Sequence, residues 1–374
     1  MKTQEKGPKT AKRNPTIKYD QDYYEMLMRD YGYDPIKFRR INFSLGNLSE
    51  EELRLRWLCH HEGNVFAKKF DMGDKSMVAT GFGMSGTPHI GTVSQILRSI
   101  TLQKQGVPVS MVIGDLDAYN NKETPISRTL ELAERFRDFI VNLGFDDKPP
   151  SILRTQNDDL EVLRTSYIIG RFMDDDMFDQ AEEDLYGSYI KPSDSSLRML
   201  YRRKLSLNLM TADFINLYFK EGIRNVMVML GVDEHGFVRL ARKTISSMIS
   251  SHEFDDFEMT IAGLYTPLII GFNNHPKMSK SVSGSGITVD MSPDEIRDLI
   301  MNGEGGYDRP ENNVVYQMIS AASYMSPDEI REAYNACSKG GTEWNRVKST
   351  YTDILIDICS KWSDYDDRST KSYI

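Results

Sequence analysis

Short apolar runs alternate along much of the chain with segments in which apolar residues recur every three to four positions. The runs predict strands, and the periodic segments predict amphipathic helices. The predicted strands cover residues 75–82, 108–113 and 226–230, and the predicted helices cover residues 89–105, 126–143 and 237–249. Strands that alternate with helices form a parallel sheet, so the pattern predicts a doubly wound, Rossmann-like α/β fold that binds ligands at the carboxyl ends of its strands.

The other segments predict helices outside this alternation. Residues 50–60 and most of 157–222 have helical patterns, and further helices follow a glycine- and serine-rich loop at 279–286. These last helices are predicted at residues 293–301, 313–324, 327–337 and 343–362. The expected domains are a flexible basic leader at 1–18, an N-terminal extension at 19–75, an α/β domain at 76–286 with a helical insertion near 157–222, and a helical domain at 287–374.

Composition and charge narrow the class of protein. With 374 residues the chain has the length of two or three domains, and its formal net charge of −9 excludes a broadly cationic nucleic-acid-binding surface. The cysteines Cys59, Cys337 and Cys359 lie far apart, so they indicate neither a disulfide framework nor a cysteine zinc site, and they favour a reducing compartment. No apolar run approaches the ~18 residues of a membrane span. We therefore expect a soluble, cytoplasmic protein with no membrane partner.

A glycine-rich segment, residues 81–91, joins the first predicted strand to the helix that follows it. Backbone N–H groups at such a turn and at the start of a helix favour phosphate, and Gly81, Gly83 and Gly86 allow the backbone to approach a ligand. His89, in the first helical turn, can donate to a phosphate oxygen, although a lone histidine is also compatible with a structural role. The segment lacks the downstream acidic residue of a dinucleotide site and the lysine of a P-loop.

A second segment, residues 277–281 with the sequence KMSKS, is basic and rich in hydroxyl groups. Two ammonium groups beside several hydroxyls suit an anion whose charge shifts during a reaction. Alone, such a pentapeptide is equally typical of a surface loop. In combination with the segment PHIG at residues 88–91, it resembles the paired HIGH and KMSKS signatures of the class I aminoacyl-tRNA synthetases.

The resemblance extends over nearly the whole chain and is strongest for the tryptophanyl and tyrosyl subgroup, in particular for the tryptophanyl-tRNA synthetases of archaea and eukaryotes. The segments that carry it are residues 38–41 (FRRI), 114–119 (GDLDAY), 210–215 (MTADFI), 231–234 (GVDE), 238–242 (VRLAR), 313–316 (NVVY) and 337–341 (CSKGG). The last two resemble the helical anticodon-binding domain of that family, which gives residues 287–374 an expected role in binding tRNA.

The resemblance implies a reaction in two steps. ATP and an amino acid first give an aminoacyl-adenylate and pyrophosphate, and the acyl group then passes to the terminal ribose of a tRNA. It also implies a homodimer, and Mg²⁺ that accompanies ATP through phosphate oxygens without a dedicated metal site in the protein. The whole of the α/β domain at 76–286 is then expected to be catalytic.

Residue roles follow from the same resemblance. His89, Lys277 and Lys280 are implied to be catalytic, because the two lysines would neutralise pyrophosphate as the displacement spreads charge over its oxygens. The residues implied to bind ATP are Gly81, Phe82, Gly83, Gly86, His89, Gly91, Thr92, Gly231, Asp233, Met278, Ser279 and Ser281. No side-chain nucleophile is required.

This sequence departs from the family pattern at several positions. Thr92 stands where the HIGH signature has its second histidine, which keeps a hydroxyl near the phosphates. At positions where the tryptophanyl family typically has Tyr, Gln, Glu, Gln and Gln, this chain has Ala79, Val112, Asp117, Thr211 and Glu234. An amino-acid pocket that includes Asp117, Asp213 and Glu234 is expected to be acidic, and a buried carboxylate requires a partner, for which a cation costs least.

Three functions stay open on this basis. The first is a tryptophan–tRNA ligase with a divergent amino-acid pocket. The second is a synthetase-like paralogue that activates another amino acid, basic or modified, for transfer to tRNA or to a small molecule. The third is a non-catalytic tRNA-binding protein, against which the ATP motifs argue because a binding module has no need of them.

Overall fold

The computed structural model describes residues 41–84, 86–121, 123–181, 201–273, 275, 278 and 284–363. Within them the chain folds around a sheet of six strands: β1 Cys59–His61, β2 Ser76–Gly83, β3 Val109–Gly114, β4 Ile152–Thr155, β5 Asn225–Gly231 and β6 Thr260–Thr266. The strand order is β1-β6-β5-β2-β3-β4, with β1 antiparallel to β6 and every other pair parallel. The predicted doubly wound α/β fold is confirmed.

Helices cover both faces of the sheet and form most of the described chain after β6. They are α1 Glu50–Arg56, α2 Gly63–Asp71, α3 Ile90–Lys104, α4 Asp115–Asn121, α5 Ile126–Asn142, α6 Leu160–Ile169, α7 Asp175–Ala181, α8 Tyr201–Glu221, α9 His235–Ser251, α10 Pro293–Asn302, α11 Val314–Ala321, α12 Pro327–Lys339 and α13 Gly341–Ser363. Short 3-10 turns lie at Gly170–Phe172, Val232–Glu234 and Pro310–Asn312. None of the helices in the described part of the chain is both long and apolar enough to span a bilayer.

Two apolar cores form on the two faces of the sheet. Successive residues of a strand point to opposite faces, so Val78 packs in one core and Ala79 in the other. The Val78 core contains side chains of α3 and α5 and extends into the C-terminal helices α10 to α13. The Ala79 core contains side chains of α8 and α9. The C-terminal helices therefore close the core on the Val78 face of the sheet.

The helix predicted over residues 50–60 is too long. It ends at Arg56, and Cys59–His61 form the short antiparallel edge strand β1 instead. Trp57 takes an extended conformation, and the buried His60 accepts a hydrogen bond at Nδ1 from the backbone N–H of Gly63, 3.0 Å away. This contact fixes the turn from β1 into α2, which a helical continuation would prevent.

Strand β4 was not predicted from the pattern. It is only four residues long, and Arg154 interrupts its apolar sequence. In the sheet, Val112 of β3 lies in register between Gly81 of β2 and Arg154 of β4. The register therefore brings a buried arginine to the same sheet face as the predicted amino-acid pocket.

Candidate active site

A pocket of about 300 Å³ lies at the carboxyl ends of β2 and β5, where the sheet order leaves an opening beside the start of α3. Several of the residues predicted to bind ATP line it together: Gly81, Phe82, Gly83, His89, Gly91, Thr92, Gly231 and Met278. Thr266, Pro267, Leu268 and Ile269, which follow or end β6, form the opposite wall. Residues brought from five separate parts of the sequence therefore enclose one space at the position where this fold class binds ligands.

Glycine is required at two positions on the wall of this pocket. A Cβ at Gly91 would lie 2.6 Å from Cε1 of His89, and a Cβ at Gly81 would lie 2.9 Å from the carbonyl oxygen of Val112. Gly86 has a φ of +102°, in the region that only glycine adopts freely. The glycines thus keep the turn after β2 narrow and hold the His89 ring against α3.

His89 caps the N-terminus of α3. Its Nδ1 accepts a hydrogen bond from the backbone N–H of Thr92 at 3.2 Å, so the neutral ring carries its proton on Nε2. The cap orients the ring at the helix end whose dipole favours an anion. The predicted role of His89 as a donor toward phosphate is compatible with this tautomer.

Gln95, which the sequence reasoning did not single out, fixes the end of β2. Its side-chain Nε2 donates to Oγ1 of Thr80 at 2.6 Å and to the carbonyl of Gly81 at 3.0 Å. Thr80 Oγ1 in turn donates to the carbonyl of Met229 in β5, 2.7 Å away. Gln95 therefore joins α3 to two neighbouring strands at the point where the pocket opens.

The residues after β5 form a 3-10 turn at the pocket edge. The backbone N–H of Gly231 donates to Oε2 of Glu234 at 3.1 Å, and Glu234 lines the pocket. The backbone of Asp233 lies on this turn, whereas its side chain is outside the described part. His235 is buried just beyond, with Nδ1 3.1 Å from the carbonyl of Val232, and burial lowers the pKa of its ring to about 4.

Lys277, Ser279, Lys280 and Ser281 lie outside the described residues. Residues within and after this segment that the structure describes lie at the pocket or contact its wall. Met278 lines it, and its backbone N–H donates to the carbonyl of Ile269 at 3.2 Å. On the far side, Thr288 forms a β-bridge with His89, and the N–H of Ile90 donates to the carbonyl of Ile287 at 3.1 Å.

The residues predicted to hold the amino acid do not share this pocket, apart from Glu234. Ala79, Val112, Thr211 and Asp213 are all buried, between the sheet and α8. The Thr211 hydroxyl donates to the carbonyl of Leu207 within its own helix, at 2.9 Å. Asp117, in the first turn of α4, is half-buried.

The buried carboxylate of Asp213 has a cationic partner within the chain itself. Arg154 lies 3.6 Å from the Asp213 carboxylate and 3.0 Å from that of Asp159, and Gln156 Nε2 donates to Asp213 at 2.8 Å. Burial raises the pKa of Asp213 to about 6, against the opposing effects of Arg154 and Gln156. The side-chain oxygen of Gln156 also accepts from the backbone N–H of Asp117 at 3.2 Å.

Asp115 is a further buried carboxylate that sequence reasoning did not single out. Its Oδ1 accepts from the backbone N–H groups of Leu116 and Gln156, both at 2.9 Å, and of Asn157 at 3.2 Å. Burial raises the pKa of this carboxyl. Asp115 therefore ties the end of β3 to the turn that follows β4, and with Arg154 and Gln156 it builds a polar network under the predicted amino-acid site.

The described residues contain no group of three or more His, Cys, Asp or Glu side chains arranged to hold a metal ion.

Comparison with known proteins connects this site to a family. A family model described as tRNA synthetases class I (W and Y) matches residues 204–355. The tryptophan–tRNA ligase of Aeropyrum pernix is 24% identical over 337 residues, which cover 85% of this chain and 84% of that protein. The chain is thus similar to the class I synthetases for tryptophan and tyrosine. The resemblance predicted from the sequence is confirmed.

A solved structure of a tryptophanyl-tRNA synthetase shares the fold of this chain. The crystal structure of the tryptophanyl-tRNA synthetase of Aeropyrum pernix superposes with a TM-score of 0.68 over 92% of this chain and 89% of that one, at 19% identity. The tryptophan–tRNA ligase of Thermoplasma volcanium is 28% identical over 160 residues. This match spans 42% of the chain but only about a third, 35%, of that relative's length.

Proposed function

We propose that the chain is an ATP-dependent aminoacyl-tRNA synthetase that activates tryptophan as an aminoacyl-adenylate. The observation that carries the proposal is the pocket that joins the His89 turn of α3, the end of β5 and Met278 of the Lys277 to Ser281 segment, with Thr288 after that segment bridged to His89. Relatives named tryptophan–tRNA ligase support the choice of amino acid.

In this proposal ATP lies along the glycine turn. Backbone N–H groups near Gly81, Gly83 and Gly86 face its phosphates, with His89 Nε2 and the Thr92 hydroxyl as donors. The absence of a side chain at Gly91 leaves room for the His89 ring beside the phosphates. Gly231 and Asp233, at the end of β5, accept hydrogen bonds from the ribose in this proposal, and Met278 lies beside the base.

The chemical step is an in-line displacement. A carboxylate oxygen of the amino acid forms a bond to the α-phosphorus while the bond to the bridging oxygen of pyrophosphate breaks, and the electron pair leaves with pyrophosphate. Lys277 and Lys280 stabilise this leaving charge more in the transition state than in bound ATP. Mg²⁺, bound through phosphate oxygens, supplies further charge neutralisation.

In the second step the acyl group is transferred from the adenylate to tRNA. The catalytic domain comprises residues 76–286, the acyl group passes to tRNA, and the helices within 287–374 bind the tRNA. The protein acts as a homodimer in the cytoplasm. The Aeropyrum relative, named tryptophan–tRNA ligase and aligned over 85% of this chain, supports transfer to tRNA. The homodimer is what the family resemblance implies.

Tryptophan-dependent exchange between ATP and pyrophosphate tests the proposal. We expect exchange in the full chain, a loss of ~10²-fold or more in kcat for Lys277→Ala, and a much smaller change in ATP affinity, because the lysine acts on the leaving group. Lys68→Ala, at an exposed lysine on α2 outside the pocket lining, is the matched control. Equal losses in kcat and ATP affinity would contradict the role assigned to Lys277.

A further inference from the structure

Two arginines are buried beside the pocket without any carboxylate partner among the described residues. Arg56 of α1 is 7% exposed and Arg98 of α3 is 2% exposed. Arg56 donates to the carbonyls of Ser320 at 3.0 Å and Met325 at 2.6 Å. Arg98 donates from Nε to the carbonyl of Arg56 at 2.9 Å and from Nη1 to Oγ of Ser94 at 3.1 Å. All of these acceptors are neutral.

The environment of Arg98 leaves its charge uncompensated. Its second terminal nitrogen, Nη2, is buried and has no hydrogen-bond acceptor within the described structure. Burial, and then the positive charge of Arg56, lower the pKa of Arg98 to about 9, so the side chain is still a cation at neutral pH. A buried cation with only neutral partners costs considerable free energy unless an anion comes close to it.

The pocket is where such an anion would bind. Gly91, Ser94, Gln95 and Arg98 follow one another along a single face of α3, and all four line the pocket. Helical side chains lean toward the N-terminus, and the bond from Arg98 to Ser94 shows that the guanidinium reaches back one turn. Ser94 Oγ donates to the carbonyl of Gly91 at 2.8 Å, so the charge lies about one helical turn, ~5 Å, from the Gly91 backbone.

We propose that Arg98 is a positioning residue that gives the pocket its preference for the phosphate-bearing form of a nucleotide, through a buried positive charge that the ligand's negative charge compensates. The inference rests on the proposed function in so far as the ligand is ATP. Arg98 lies outside both the HIGH-like segment at 88–91 and the KMSKS segment at 277–281, so it is a further residue that would influence nucleotide binding. Since the interaction passes through a water-poor wall, it is screened weakly and grows with the charge of the ligand.

Binding titrations of the full chain test this inference. The probes are adenosine, AMP, ATP and inorganic pyrophosphate, and the variants are Arg98→Met, which keeps the apolar stem, and Arg98→Lys, which keeps the charge. Arg135→Met is the matched control, because Arg135 also donates to a backbone carbonyl, that of Trp362 at 3.2 Å, but lies on α5 outside the pocket lining.

We expect Arg98→Met to weaken ATP and pyrophosphate by tenfold or more, AMP by less, and adenosine by less than twofold. Arg98→Lys should retain ATP affinity within about threefold. Equal losses for adenosine and ATP would show a purely structural role and overturn the inference, as would unchanged affinity for all four probes. Should Arg98→Met fail to fold, the same four ligands are titrated against Arg98→Lys, which keeps the charge, and Arg98→Gln, which removes it. A loss of affinity for ATP and pyrophosphate in Arg98→Gln alone is then the expected result, and equal losses for all four ligands overturn the inference.

Failure of the proposed function has a different signature. If the charge-dependent loss in Arg98→Met is present but no amino acid supports exchange, the inference about Arg98 stands and the synthetase activity is excluded. If wild-type protein binds adenosine and ATP equally, the inference is overturned whatever the exchange assay gives.

Discussion

At the scale of single residues, the position of the His89 ring depends on the absence of a side chain at Gly91. The imidazole of His89 occupies the space that a side chain at position 91 would need, with only 2.6 Å between a Cβ there and Cε1 of the ring. The same ring accepts the Thr92 N–H that caps α3. A methyl group at position 91 must therefore displace the group that we assign to the phosphates.

Gly91→Ala is expected to lower ATP affinity and exchange activity by tenfold or more, because the His89 ring is pushed out of its cap. The fold itself should change little, since alanine favours a helix more than glycine does. Titration of ATP and a thermal unfolding curve separate the two effects. Thr101→Ala, on the same helix but outside the pocket lining, is the control, and equal ATP affinities for both variants would contradict the assignment.

The Asp213 carboxyl makes a prediction about pH. Burial raises the pKa of Asp213 in the folded state to about 6, above the 3.8 of an exposed aspartate, so the folded protein binds the extra proton more readily than the unfolded chain. The contribution of this group to stability is therefore present below the unfolded pKa and is lost as the pH rises through about 6. Asp213→Asn removes this dependence.

The stability of Asp213→Asn relative to wild type should accordingly rise between pH 4 and pH 6 and level off above pH 7. The total change is on the order of a few kcal/mol. Urea unfolding at several pH values measures it, with Asp138→Asn, at an exposed position on α5, as the control. A difference between Asp213→Asn and wild type that is flat from pH 4 to pH 7 contradicts the burial argument.

Residue types that break the local pattern were the hardest to predict. Gly81, Gly83, His89 and Gly91 were predicted from a recognisable motif, and all four line the pocket. Gln95 and Arg98 stand on an apolar helix face, and Arg154 stands in a short strand, so each looks like an isolated exception in the sequence. Their partners are distant in sequence, which is why only the folded chain reveals what they contact.

At the scale of elements, the last helix α13 is anchored by its final turns on α5. Trp362 is 2% exposed, and its ring lies 5.2 Å from that of Phe136 and 5.4 Å from that of Phe139. The guanidinium of Arg135 stacks 4.3 Å from the same ring. Phe136 in turn contacts Phe82 of the pocket wall, with 5.3 Å between ring centroids.

Trp362→Ala should lower the free energy of unfolding by about 3 to 5 kcal/mol, because it leaves a cavity between α13 and α5. Trp362→Phe should cost considerably less, since it keeps an aromatic contact with the Phe136 ring. Chemical denaturation of the two variants and the wild type gives the values. An alanine variant as stable as the wild type would show that the end of α13 is not held by this contact.

Elements with a long and regular pattern were predicted well. The strand expected at 226–230 is Asn225–Gly231, and the helix expected at 126–143 is Ile126–Asn142. The edge strands β1 and β4 were not predicted. β1 has only three residues, including His60, and β4 has only four, including Arg154, so neither shows a detectable apolar pattern. Their pairing depends on β6 and β3, so neighbours in space define them rather than their own sequence.

At the scale of the whole molecule, one core unites the sheet with the C-terminal helices. Side chains of β2 and β3, of α3 and α5, and of α10 to α13 belong to the same apolar cluster. The family resemblance and the fold could be predicted from the sequence because both rest on segments spread along the chain. The identity of the activated amino acid could not be predicted, because the residues expected to contact it differ from the family pattern. The polar network beside those residues also depends on long-range pairs, such as Arg154 with Asp213.

The measurement that tests the central claim most directly is exchange between ATP and pyrophosphate with each of the twenty standard amino acids in turn. We predict exchange that depends on tryptophan, which would show that the altered residues at Ala79, Val112, Asp117, Thr211 and Glu234 still form a tryptophan site. Exchange with a different amino acid alone would contradict the specificity. No exchange with any of the twenty, with tRNA present, would contradict the proposed activity itself.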